Sequence, residues 1–141
     1  MIEYESGSAG FLGAVDCASL CMVSAGICLA SVLAPREGNA EVAGARRGLW
    51  INLCFGDYIE AAYPLMERDP LVNFGAYVGA MTSGAILSLP VGGAGSSAYL
   101  PTPLAVALSS APGHALLAFV AAFVVPFAMA LVQNWRYQKS R

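Results

Sequence analysis

The sequence predicts an all-α integral membrane protein, one polytopic domain over residues 1–141 with three to four transmembrane helices. Two observations carry that prediction. Only 11% of the 141 residues are charged and 57% are hydrophobic, whereas a water-soluble domain carries about 25% and about 45–50%. The charges are also segregated: from Pro70 through Trp135 there is no Asp, Glu, Lys or Arg. So little charge cannot cover a globule of this length with a wettable surface. A disordered chain is excluded too, because it would be rich in charge and poor in apolar residues.

The first apolar run, residues 9–34, holds one charge, Asp16. It is long enough to span, since about 20 helical residues cross a hydrocarbon core of about 30 Å. Pro35 ends it, and residues 36–47, with Glu37, Glu41 and Arg46, read as a polar loop. The next segment, 48–66, is either a fourth span or an interfacial or re-entrant amphipathic helix. Asn52, Gly56, Asp57 and Glu60 fall on one of its faces. Two carboxylates at the centre of a lipid-facing helix would cost about 5–7 kcal/mol, so that stripe belongs against protein or at the interface.

Residues 71–91 form the next span, with Gly75, Gly79 and Ser83 as a ladder of small side chains that admits a close neighbour. An uncharged stretch rich in Gly, Ser and Pro, 92–103, is a loop lying shallow against the membrane. The last span, 104–134, is interrupted at Ala111-Pro112-Gly113, and Pro126 should kink it. Trp135 and Tyr137 then anchor the chain at the interface, followed by Arg136, Lys139 and Arg141. Three spans place the arginines of 36–68 and the basic tail on one side of the membrane, as the positive-inside rule favours; four spans separate them.

The candidate functional residues are few. Asp57 and Glu60, one turn apart beside Asn52, Tyr58 and Tyr63, are the first choice for an ion or proton site. Their ordinary reading is the wet side of an interfacial helix or pairing with Arg46, Arg47 or Arg68. Asp16 is a further ion or proton candidate, against a simple role near the helix start. Cys17 and Cys21, with Cys28, read as a seam of small side chains for helix packing rather than a redox or metal site. No metal site is expected, and His114 reads as a polar flank. The P-loop, HExxH and GxSxG signatures are absent from the sequence.

The opening Met-Ile-Glu-Tyr-Glu is acidic and unlike a targeting leader, so either a leader has been removed or the first apolar run is itself the insertion signal. With a net charge of −2 and no dense basic patch, nucleic acid is excluded as a partner. The function expected from these observations is a small accessory subunit of a multi-subunit membrane complex, of the respiratory or photosynthetic kind. It would pack against membrane lipids and other transmembrane subunits in a bacterial inner membrane or an organelle membrane. No cofactor is expected with this chain as sole ligand; a lipid or pigment could be shared within the complex. The alternative is a small oligomeric ion or solute transporter or channel using Asp57 and Glu60.

Overall fold

The computed structural model describes residues 10–56, 58–91, 93–96 and 100–140. Every regular element among them is helical: α1 (Gly10–Leu33), α2 (Asn39–Phe55), α3 (Tyr63–Arg68), α4 (Pro70–Leu87), α5 (Thr102–Ala107) and α6 (Pro112–Lys139). A 3-10 turn, Ile59–Ala61, precedes α3. Two of these helices, α1 and α6, are long and apolar enough to cross a membrane. The uncharged α4 has 18 residues, about 27 Å at about 1.5 Å per residue.

The bundle is held by close backbone approach. Its main contacts are α4 on α6, and α1 on α6 and α2. A Cβ added at Gly26 of α1 would lie 2.4 Å from the Phe123 carbonyl oxygen of α6. One added at Gly79 of α4 would lie 2.9 Å from the Pro126 ring. Proline cannot donate to the helix ladder, and the Ala122 carbonyl, the oxygen that its N–H would have bonded, faces the same glycine. The glycines of α1 and α4 therefore press on adjoining turns of α6.

The interior follows from those approaches. It is built largely of Ala14, Ala18, Ala25, Ala76, Ala118 and Ala122, together with buried cysteines and serines; Phe119, Ile27 and Leu87 are the largest apolar exceptions. The big apolar side chains point outward instead, including Phe74, Tyr77 and Met81 on α4 and Leu116, Leu117 and Val120 on α6. A fold made in water buries its large hydrophobes first. Small side chains inside and large ones outside is compatible with helices packed in lipid, whose interfaces are rich in small residues.

The segment expected as one helix over 48–66 is not one. The helix begins earlier, at Asn39, so most of the expected polar loop is helical, and it stops at Phe55. Gly56 adopts φ 69°, a conformation that favours glycine, and the chain reverses through the 3-10 turn into α3. Asn52, Gly56 and Glu60 consequently do not share a helical face. Likewise the last expected segment divides into α5 and α6, with Ser109 and Ser110 between them, and α6 runs on to Lys139.

Both ends of the bundle are recognisable from their contacts. At one end lie the start of α1, the loop after α4 and the entrance to α6: Ser96 N–H donates to Gly10 O at 2.8 Å, and Ser110 N–H to Gly95 O at 3.0 Å. At the other end lie the end of α1, the start of α2, the α3–α4 joint and the end of α6, tied by ion pairs.

Candidate functional site

Two segments enter the bundle from opposite ends and turn back within it. From the ion-paired end, α2 runs antiparallel beside α1, with Gly48 next to Cys28 and Asn52 next to Ser24. It breaks at Gly56 and returns through α3. From the other end, the chain leaves Ser96, reaches Thr102, whose hydroxyl donates to Met22 Sδ at 3.7 Å, and returns through α5 to Ser110. The C-terminal part of α2 touches both α5 and the Cys17–Met22 stretch of α1. The two reversals thus meet beside α1, about halfway along it.

At that meeting point α1 is a π-helix, Cys17–Met22. Ser19 Oγ donates to the Val15 carbonyl one turn back. Such a bond competes with the backbone ladder and bends helices; π segments of this kind concentrate at functional sites.

The returning chain is held from within at Tyr58. Asn52, fully buried, accepts from Tyr58 N–H at 2.9 Å through Oδ1. Its Nδ2 donates to Ser24 Oγ at 2.9 Å and to the Tyr58 carbonyl at 3.2 Å, which also accepts from Ser24 Oγ at 3.1 Å. One amide therefore satisfies both backbone groups of Tyr58 at the reversal.

The expected site residues fall as follows. Asp57 lies outside the described residues. Glu60 is exposed, in the 3-10 turn that leaves the reversal, with neither a hydrogen bond nor an ion pair among the described residues. The pairing considered for it with Arg46, Arg47 or Arg68 is not made. Asp16 is exposed on α1, immediately before the π stretch. Cys17 and Cys21 are buried there side by side, outside any disulfide among the described residues. Gly75 meets Met129 and Gly79 meets Pro126, so this part of the ladder faces α6 of the same chain. Ser83 is buried, with its hydroxyl on the Ala80 carbonyl. Among the described residues no three His, Cys, Asp or Glu side chains are placed to hold a metal.

Sequence reasoning missed the most extensive polar assembly, at the ion-paired end. Arg36 Nη2 meets Asp69 Oδ2 at 2.7 Å, with side chains only 7% and 15% exposed. Arg36 Nε donates to Asn134 Oδ1 at 2.6 Å, and its guanidinium lies 5.3 Å from the centre of the Tyr137 ring. Asp69 also caps α4, accepting from Leu71 N–H at 2.9 Å, directly before Pro70. Beside it Arg68 pairs with Glu37 at 3.0 Å and Glu41 at 3.2 Å. The Glu41 carboxylate further accepts the Glu37 and Arg36 backbone N–H groups.

Burial alone would raise the proton affinity of Glu41 and Asp69. The hydrogen bonds and charge of Arg68 and Arg36, together with the backbone N–H donors at each carboxylate, outweigh it and hold both carboxyls below their ordinary values. Burial opposes the charge on Arg68 as well, but Glu41 and Glu37 prevail and raise it. The only visible signals were the Asp69-Pro70 cap and the crowding of charge at segment ends. Comparison with family models, curated proteins and solved structures finds no match to this chain.

Proposed function

We propose that this chain is an integral membrane protein, with α1, α4 and α6 spanning and residues 39–68 forming a re-entrant hairpin. In this reading it works as one protomer of a small oligomeric ion or solute carrier. The supporting observation is the pair of opposed reversals meeting beside the π stretch. Unsatisfied backbone in hydrocarbon costs several kcal/mol per group, so broken helices persist at depth only where protein or a water-filled path surrounds them. Discontinuous helices near the midplane are where carriers bind ions and substrates. A scaffold needs no such break.

Glu60 sits on the outward side of the hairpin, so the path runs between protomers and a second copy completes it. The basic residues Arg36, Arg68, Arg136 and Lys139 share the ion-paired end, which the positive-inside rule makes cytoplasmic.

The accessory-subunit reading stands second. It is favoured by the closed, small-residue contact between α1, α4 and α6 and by the large apolar side chains on the outside. Purified full-length chain in liposomes loaded with a pH-sensitive dye separates the two readings. Under a valinomycin-imposed potential, the carrier reading expects proton entry well above empty liposomes. Glu60→Gln should lower it at least ten-fold with unchanged oligomeric mass. Entry equal to that of empty liposomes, or unaltered by Glu60→Gln, returns the accessory reading.

A further inference from the structure

We propose that the outward face of α2 binds an anionic glycerophospholipid, its phosphate held by Arg46 and Arg47 and its glycerol region against Trp50. This rests on the membrane placement above and is independent of carrier activity.

The rotation of α2 is fixed from inside. Ala45, Gly48 and Asn52 are its buried positions. A Cβ added at Gly48 would lie 2.4 Å from the Ala61 methyl, so α2 has no freedom to roll. At about 100° per residue, the stripe diametrically opposite that face is Asn39, Ala43, Arg46, Arg47, Trp50 and Cys54. All six are exposed.

Charge identifies the occupant. Of the nearby acids, Asp69 is committed to Arg36 and both Glu37 and Glu41 to Arg68, while Glu60 and Glu67 form no ion pair with any described residue. Among the described residues no carboxylate pairs with Arg46 or Arg47. Two adjacent guanidiniums on a lipid-facing helix require an anion from outside the chain, and phosphate matches their planar fork of donors.

Depth identifies it further. Gly48 lies level with Cys28, five residues inside the end of α1 at Leu33, or about 7 Å. Helical side chains lean toward the N-terminus, which for α2 is the ion-paired end. The guanidiniums therefore rise toward headgroup level while their helix stays among the acyl chains. From that end inward the stripe reads amide, methyl, guanidinium pair, indole and thiol. A phospholipid runs in the same order, from headgroup through glycerol to acyl chain.

The test uses the full chain in neutral detergent, titrated with phosphatidylglycerol or phosphatidylcholine of identical acyl chains and read by native mass spectrometry. Phosphatidylglycerol should be retained at least ten-fold more tightly. The preference should vanish in the Arg46→Gln/Arg47→Gln variant and persist in Arg136→Gln/Lys139→Gln. Equal retention of the two lipids, or loss through the tail variant alone, overturns the proposal. Displacement by excess glycerol 3-phosphate reduces the site to a phosphate site and overturns the lipid assignment. A lipid-free dimer that dissociates in the Arg46→Gln/Arg47→Gln variant assigns the stripe to a second copy and also overturns it.

Should that variant not fold, Trp135→Phe leaves Trp50 as the single tryptophan. Brominated phosphatidylglycerol should then quench its fluorescence at mole fractions where brominated phosphatidylcholine does not; equal quenching overturns the proposal. Alkaline carbonate extraction distinguishes the two possible failures. Release of the chain refutes the membrane placement, whereas a retained chain without lipid preference refutes the lipid site alone.

Discussion

Replacing Gly26 with alanine tests the tightest contact in the bundle. The added Cβ would stand 2.4 Å from the Phe123 carbonyl oxygen and 3.3 Å from the Phe127 nitrogen, both backbone atoms of α6. Neither can rotate away, so α1 and α6 must separate by roughly 1 Å along their crossing, and overpacking of this kind costs about 1–3 kcal/mol. Alanine's better helix propensity returns up to about 1 kcal/mol. The net expectation is a loss of about 1–2 kcal/mol, which lowers the melting temperature by about 3–7 °C for a chain of this length. Gly84→Ala is the control. It meets nothing within 4 Å, so only the propensity gain remains and its melting temperature should hold or rise. Thermal unfolding in detergent, followed by circular dichroism for both variants beside the unmodified protein, measures the difference. If Gly26→Ala melts at or above the unmodified protein, the close crossing of α1 and α6 is wrong.

Three further outcomes follow from the polar groups. Arg36→Gln strands Asp69 in a largely buried position and should cost about 2–4 kcal/mol, somewhat below the fully buried range because both side chains keep some exposure; denaturant unfolding in mixed micelles reads it. Glu41 and Asp69 titrate below their ordinary values of 4.5 and 3.8, so their contribution is complete above those values and lost as pH falls through the lowered ones. Stability should therefore be level from pH 6 to 8 as far as these groups are concerned and drop below about pH 4, with a shallower drop in Asp69→Asn. Asn52→Ala leaves the Tyr58 N–H unsatisfied and should cost about 1–3 kcal/mol, with hydrogen exchange rising around Tyr58 and unchanged in α6.

The helical class was legible because it depends on composition and on long apolar runs, which a sequence displays directly. The places of Gly75 and Gly79 against α6 could not be read, because a ladder of small residues says that a helix approaches without saying whose. The reversal at Gly56 escaped for a different reason. A helix projection assumes an unbroken rise, and on that assumption Asn52, Asp57 and Glu60 line up. The break exists because Asn52 captures the backbone of Tyr58 and Ser24 stands opposite, a partnership 28 residues apart in the chain. The Arg36 assembly was hidden by the same distance. Each residue in it looks like an ordinary flank of its own segment, and only folding brings Asp69, Asn134 and Tyr137 to one guanidinium.

That assembly also has a consequence in time. Arg36 and Asn134 are separated by 98 residues. At a synthesis rate of about 5–20 residues per second, the arginine waits roughly 5–20 s for its final partner to be made. During that interval the early helices can form, but the loop after α1 stays unlatched, with the Arg36 guanidinium held at most by Asp69. The last helix closes the latch, and Gln138 adds a bond to the Pro35 carbonyl as it does so. A chain released before α6 is translated therefore carries an open polar end, with the Arg36 guanidinium lacking its Asn134 and Tyr137 partners.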